Sequence, residues 1–383
     1  MGNKINYGMI GGGENAFIGK IHRIAANITD NFNLVSGVFS SNPKNSIIFG
    51  NELNLPNDRC YSNFQEMALK ESYRNDGIEA VVIATPNNLH IPIAEEFLKK
   101  GIHVICDKPL ATDLDQTKSI KKLIKTTDKI FAITYNYSGY PLIRYARKII
   151  ESGEIGEIRS IQLEYAQDWL YQKIEDSGHK QASWRTDPLQ GGPGGCLGDI
   201  GTHAFHLLCF VLGIKPSQIL ADLSNFVNGR ILPDNANILF RFFNGATGIL
   251  WLSQIAPGKK NGLSLRVYGS KAGIEWVQEN PNYLKFSKPD KHTLIKGKED
   301  LRDYDNLENL TRTPPGHPDG FIESFANIYQ EIAKAILTSR KGGKNTYNSL
   351  FPCFSDGIDG MKFIEASIKS NQMNSKWIKL NYN

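Results

Sequence analysis

The stretch Ile5-Asn6-Tyr7-Gly8-Met9-Ile10-Gly11-Gly12-Gly13-Glu14-Asn15-Ala16-Phe17-Ile18-Gly19 decides the fold. Its apolar run Ile5 to Ile10 reads as a strand, and the pattern from Gly19 to Ala26 reads as a helix. Glycines between the two permit a tight turn and let backbone N–H groups approach an anion at the positive start of a helix. Gly11, Gly13 and Ala16 fit the spacing of a dinucleotide-binding turn, with Phe17 and Ile18 beside it. Gly19 is the alternative close-packing glycine, and the intervening residues then form an enlarged turn.

Working outward, Leu34 to Phe39, Ala80 to Ala84, His103 to Cys106 and Ile130 to Thr134 are further strand candidates. Helical patterns separate them at Asn63 to Leu69, His90 to Lys100 and Asp113 to Thr126. Strand and helix alternating at this pitch predict a parallel sheet covered on both faces, with any ligand beyond the carboxyl ends of its strands. After about residue 141 the rhythm changes. Ile158 to Ala166, Ile219 to Val227, Ala236 to Phe243, Thr247 to Gln254, Leu263 to Tyr268 and Gly273 to Val277 predict a mainly antiparallel sheet. Helices are expected at Pro141 to Glu151, Asp199 to Leu212, Asp319 to Leu337 and Asp356 to Lys369, with a short strand at Trp377 to Leu380. Pro289 to Asn306 reads as loop.

The fold class is therefore α/β: an amino-terminal Rossmann dinucleotide-binding domain, residues 1–141, followed by an α+β domain, residues 142–383, with a mainly antiparallel open sheet. The carboxy-terminal helix is expected to pack back on the first domain.

Bulk composition excludes several classes. With 383 residues and 40% hydrophobic side chains the chain fills real cores, so disorder is not its dominant state. The net charge of +5 is small beside 44 basic and 39 acidic groups. The cluster from Lys118 to Lys125 alternates with Ile120, Leu123 and Ile124 as the wet face of a helix, without the stacking aromatics of a nucleic-acid site. No apolar run reaches the roughly eighteen residues of a membrane span. Five scattered cysteines with no C-x-x-C pair suit a reducing compartment, and cytoplasm is the expected location.

The strand ends carry the candidate cofactor contacts. The second strand ends in Phe39-Ser40-Ser41-Asn42-Pro43-Lys44 with no acid to accept bonds from a ribose. Ser40, Ser41 and Lys44 suit a phosphate as well as an unmodified ribose, so the expected cofactor is NAD or NADP. The third strand empties into Thr85-Pro86-Asn87-Asn88-Leu89-His90, read either as a strand exit with a helix cap or as further dinucleotide contacts. The fourth ends in Cys106-Asp107-Lys108-Pro109, where Lys108 is a surface lysine or a catalytic one facing a polar cleft.

A second constellation lies in Gly191-Gly192-Pro193-Gly194-Gly195-Cys196-Leu197-Gly198-Asp199-Ile200-Gly201-Thr202-His203. Asp199 and His203 share one helical face. They read as a helix cap with a core histidine, as a metal site with His206, or as an acid and base serving an alcohol. Asn136, Tyr137, Trp169, Trp184 and Arg185 supply the hydroxyl-bonding groups and flat faces that a sugar-like ring requires, Trp169 and Trp184 equally suit a core, and His317 reads as either a loop residue or a wall of the pocket. No metal is expected.

Taken together, the glycine turn, Thr85-Pro86-Asn87 with His90, Asp107-Lys108-Pro109 and the Asp199 to His203 helix resemble the glucose-fructose oxidoreductase, inositol dehydrogenase and MocA-like family across nearly the whole chain. The resemblance implies that Lys108 and His203 are the catalytic lysine and histidine and that Asp199 is the associated acid. It also implies a sugar-like or cyclitol-like substrate and a homodimer or homotetramer built on the outer sheet face. The family usually has Glu where this chain has Asp107. Two rival functions fit the same residues: a non-catalytic dinucleotide and sugar sensor, and an enzyme using retained nicotinamide for internal redox exchange or glycoside cleavage.

Overall fold

A computed structural model describes residues 4–342 and 350–382. Two compact units divide it, the first comprising the chain up to Asn136 with Phe325–Ile358, the second Tyr137–Ser324 with residues 359 onward.

In the first unit, strands β1 (Ile5–Gly11), β2 (Phe32–Val38), β3 (Ala80–Ala84), β4 (His103–Cys106) and β5 (Phe131–Ile133) form one sheet in the order β2-β1-β3-β4-β5. Every pairing is parallel. The order reverses between β1 and β3, so the loops leaving these two strands flank the switch point where such sheets bind ligands. Helices α1 (Phe17–Ile28), α2 (Pro43–Glu52), α3 (Phe64–Tyr73), α4 (His90–Lys99) and α5 (Thr117–Thr126) make the crossovers. Because both faces are covered, β3 is a continuous buried run, with Val81, Val82 and Ile83 fully inaccessible. Each such side chain contributes roughly 2 kcal/mol.

The sequence reading passes over α2. Its pattern is weakly amphipathic, and its signal is the cap: Asn42 accepts from the Lys44 and Asn45 amides just before Pro43.

In the second unit, nine strands lie in the order β13-β12-β11-β10-β6-β9-β8-β7-β14. They are β6 (Ile158–Ala166), β7 (Gln218–Ser224), β8 (Asn235–Arg241), β9 (Thr247–Ser253), β10 (Gly262–Gly269), β11 (Gly273–Val277), β12 (Leu284–Ser287), β13 (Leu294–Lys296) and β14 (Ile378–Lys379). Only the β6–β9 pairing is parallel among them. Strands β12 and β13 correct the sequence reading, since β13 lies inside the supposed loop from Pro289 to Asn306. It is three residues of an edge hairpin, too short to leave an alternating signature. Along β8 burial alternates from Ile238 to Arg241, so one face of the sheet packs inward and the other is open.

Helices α6 (Pro141–Glu151) and α9 (Thr202–Leu212) pack in this unit, joined by the short α7 (Lys180–Arg185) and α8 (Pro188–Gly191). α9 is apolar nearly all round and buried accordingly. Helices α10 (Phe321–Arg340) and α11 (Phe354–Gln372) each contribute residues to both units.

Candidate active site

At the exit of β1 the backbone turns through Gly11 and Gly12, both at positive φ (79° and 69°). A Cβ on Gly19 would stand 2.2 Å from the Gly12 Cα, and one on Gly13 would stand 2.3 Å from the Phe39 carbonyl oxygen. Gly19 is thus the glycine that seats α1 against the turn, and the turn is the enlarged one. Ala16 is instead the N-cap residue of α1, its amide donating to the Gly13 carbonyl. An alanine cap has no side-chain acceptor, and no acid stands in the first turn, so the positive helix start keeps its affinity for an anion. Arg23, one turn on, donates to the Gly12 carbonyl at 2.8 Å and buttresses the loop. Phe17 is exposed, and Ile18 lies in the first turn.

Ser40, Ser41 and Lys44 lie between β2 and α2. The Ser40 hydroxyl accepts from the Asn42 amide at 3.1 Å, while Ser41 and Lys44 are exposed.

Beyond β3, His90 is fully buried and lies between two carbonyl oxygens, Pro109 at 2.8 Å from Nδ1 and Thr85 at 3.0 Å from Nε2. It ties the loop Thr85-Pro86-Asn87 to the segment after β4. Burial pushes the His90 imidazole below its ordinary value, against the opposing pull of Asp107 and the two carbonyls. Thr134 donates to Asp107 Oδ1 at 2.8 Å, so the shorter acid of this chain is held by β5's own end. Lys108, joined to Pro109 by a cis bond, is half-buried at this strand exit. Asn136 follows β5 and is buried.

The second unit holds the other candidates. Asp199 does not begin an α-helix, as the sequence suggests, but sits in a π-helical turn, Leu197–Gly201, that runs into α9. Such widened turns concentrate at functional positions. The glycines before it have a steric cause: at Gly195 (φ 51°) a Cβ would meet the Pro233 carbonyl at 2.3 Å. Asp199 accepts from Arg185 Nε at 3.3 Å and from Gln254 Nε2 at 2.8 Å. Arg185 stacks its guanidinium 4.2 Å from the centre of Trp184, faces Trp169 at 6.0 Å, and donates to the Gln181 side chain. Asp199, Arg185, Trp169 and Trp184 therefore form one cluster.

His203 is only 8% exposed, and its imidazole meets the Tyr137 ring at 4.9 Å in a T-shaped contact. Gln254, Gln181, Tyr165 and Asn261 escape the sequence reading: they are single polar residues at strand ends and turns with no motif around them. His317 lies elsewhere in the unit, exposed on the loop Thr313 to Asp319, its carbonyl accepting from Lys298 and Thr313. An open cavity of about 690 Å³ adjoins that loop, lined by Tyr140, Gln278, Asn280, Asn282, Asp319 and Phe321 among others. None of Asp199, His203, Arg185 or Trp169 lines it. Among the described residues no group of His, Cys, Asp and Glu is placed to hold a metal, and no helix is long and apolar enough to cross a membrane.

Residues 5–135 match the family model described as the oxidoreductase family, NAD-binding Rossmann fold, and residues 143–275 match the GFO/IDH/MocA C-terminal domain. The chain is 36% identical to the uncharacterized oxidoreductase YfiI of Bacillus subtilis (strain 168), over 98% of this chain and 96% of that one. A crystal structure of an oxidoreductase from Sinorhizobium meliloti superposes with a TM-score of 0.89 at 44% identity, over 98% of this chain and 100% of that one. The inositol dehydrogenase homolog from Azotobacter vinelandii, in complex with NADH and myo-inositol, gives a TM-score of 0.90 at 31% identity, over 99% of this chain and 98% of that one. A first unit with the glycine turn at its switch point, a second with the open sheet, and relatives matched along their full lengths lead to one statement: the chain belongs to the Gfo/Idh/MocA family of oxidoreductases.

Proposed function

We propose that the protein is an NAD(P)-dependent dehydrogenase or reductase moving a hydride between nicotinamide and a secondary alcohol or ketone carbon of a sugar, sugar derivative or cyclitol. The observation that supports this best is the Asp199 cluster, a carboxylate held on both oxygens by Arg185 and Gln254, with two tryptophans facing the Arg185 guanidinium, on the segment that carries His203. Hydroxyl-bonding groups beside flat aromatic faces suit a polyhydroxylated ring. The Azotobacter homolog, solved with NADH and myo-inositol, supports the same class.

The glycine turn fits the cofactor's pyrophosphate, because Gly12, Gly13 and Gly19 leave no room for side chains and α1 starts without a side-chain cap. Gly11, Gly13, Ala16, Phe17 and Ile18 would hold it, with Thr85, Pro86, Asn87 and His90 on the other side of the switch point and Asp107 and Lys108 nearby. Ser40, Ser41 and Lys44 would take the adenosine ribose or its phosphate. When bound, nicotinamide supplies the hydride acceptor or donor. In the oxidising direction neutral His203 takes the hydroxyl proton. The Lys108 ammonium stabilises the oxygen as negative charge develops, an effect on the order of 3 kcal/mol in a dry site. Asp199 binds a neighbouring hydroxyl and helps hold the base, and Asn136, Tyr137 and Trp169 complete the substrate contacts.

The same reading places a homodimer or homotetramer contact on the outer sheet face, where Leu239 and Ile249 pair across β8 and β9 and are 40% and 47% exposed. Its working location is the cytoplasm.

The test is a screen of free sugars, glycosides, anhydrosugars and cyclitols with NAD and NADP at equal low concentration, followed at 340 nm, with identification of the oxidised carbon. Turnover of at least one polyol-like compound is the expected result. Cofactor binding with no absorbance change across the panel would turn the reading toward a sensor, and product formed without added cofactor toward internal redox exchange.

A further inference from the structure

Three side chains, one of them the Tyr137 that faces His203, close into a hydrogen-bonded ring whose directions are fixed by the donors available. Asn261, just before β10, donates from Nδ2 to the Tyr137 hydroxyl at 3.1 Å. The Tyr165 hydroxyl, on β6, donates to Asn261 Oδ1 at 2.8 Å. The two phenol oxygens are 2.6 Å apart, and since the Tyr165 proton is already given to Asn261, Tyr137 must donate to Tyr165. The three groups therefore form a cycle in which every hydroxyl both gives and accepts, the arrangement in which bonds strengthen one another. Asn261 has no capacity left over: Oδ1 also accepts from Gln167 Nε2 at 2.9 Å and Nδ2 also donates to Gln278 Oε1 at 2.8 Å. Gln167 in turn accepts from Trp169 Nε1 at 3.0 Å, which ties the ring to the cluster around Arg185 and Asp199.

The cycle has one free mechanical consequence, which is to lock the plane of Tyr137. That plane stands at 76° to the His203 imidazole. Burial pushes the Tyr137 hydroxyl above its ordinary range and the Tyr165 hydroxyl well above it, so both phenols keep the protons the cycle needs.

We infer that Tyr165 and Asn261 are positioning residues that fix Tyr137 against His203, setting the orientation and proton affinity of that imidazole without touching substrate. The inference rests on the reading of His203 as the base. Tyr165→Phe removes one oxygen and opens the ring; Asn261→Ala opens it at another point; the double variant opens the same ring once.

The test uses the full-length protein labelled at histidine and follows the His203 imidazole by NMR as pH is varied, with His203→Asn identifying the signal. Each single variant is expected to move the His203 titration midpoint by roughly half a pH unit or more. The double variant is expected to move it no further than the larger single change, because coupled residues do not add. Fluorescence titration with NADH should give wild-type affinity in all three. On the best substrate of the screen, kcat should fall roughly ten- to a hundredfold. A wild-type His203 midpoint in Tyr165→Phe, or single shifts that sum in the double variant, overturns the inference. An altered midpoint together with wild-type turnover in His203→Asn leaves the ring intact and removes the base assignment instead.

Discussion

Gly12 and Gly19 touch through their backbones: a Cβ on Gly19 would lie 2.2 Å from the Gly12 Cα and 2.6 Å from the Gly12 carbonyl oxygen. The neighbour here is backbone and cannot swing away, so any side chain must push α1 off the turn. Gly19→Ala is expected to weaken NADH binding by about tenfold or more, because the helix start retreats from the pyrophosphate. It should also lower stability by roughly 1–3 kcal/mol. Fluorescence titration and thermal unfolding measure the two effects. Wild-type affinity in the variant would detach this contact from cofactor binding.

Lys108 and His203 are assigned opposite duties, and their variants should fail differently. Lys108→Ala is expected to keep NADH affinity while turnover drops by roughly two orders of magnitude or more, since only charge developing in the transition state is left unsupported. Near-normal turnover would remove Lys108 from the chemistry. His203→Asn is expected to abolish the rise of rate with pH toward a plateau, the mark of a base that must be neutral to act. An unchanged profile would point to another base.

Arg185 holds Asp199 through Nε while its flat guanidinium lies on Trp184. Lysine keeps the charge but neither the fork nor the stacking surface. For Arg185→Lys, kcat/KM should fall roughly tenfold, mainly through KM, with NADH affinity unchanged. A loss confined to kcat would mean that Arg185 serves the reacting carbon rather than the ring's other hydroxyls.

What the sequence makes legible follows from how local each signal is. β3, β4, β6 and β11 are read at their full bounds because their buried or alternating runs give way to polar residues, at Thr85, Asp107, Gln167 and Gln278. The Asp199 to His203 spacing is legible as one helical face, but the π-helical turn beneath Asp199 is not. The glycine just before it is required by the Pro233 carbonyl, thirty-eight residues later in the chain. Asn261 and Tyr165 are ninety-six residues apart and meet only because β10 pairs with β6. A lone Asn after Lys259-Lys260 reads as a turn residue, and nothing local says that its amide is fully spent. The choice of Ala16 or Gly19 in the glycine turn is likewise decided by contact, not by spacing.

His22 and His103 are neutral in the fold for the same leading reason, burial. His22 is completely buried, with Nδ1 2.7 Å from the Tyr329 hydroxyl, and desolvation holds it down to about 4 despite the attraction of Asp107. His103 is pushed down to about 4 chiefly by desolvation and then by Lys129, and its Nδ1 accepts the Ile130 amide at 2.9 Å, a bond that a proton on that nitrogen would break. Unfolded, both titrate near the ordinary histidine value of about 6.5. Below that value the unfolded chain takes up protons that the folded chain refuses. Stability is therefore complete above about pH 6.5 and is lost as pH falls toward about 4, by roughly 3 kcal/mol for each residue over the full window. Urea unfolding between about pH 6.8 and about pH 5.5, above most of the carboxylate range, should show stability falling with a slope that steepens from under one proton toward about two as pH nears 5.5. His90, also held low by burial, adds to that slope. His103→Asn preserves an acceptor for the Ile130 amide and removes the titrating ring, so its slope should be smaller by about one proton. An unchanged slope would mean that His103 takes up its proton in the folded state as readily as in the unfolded one.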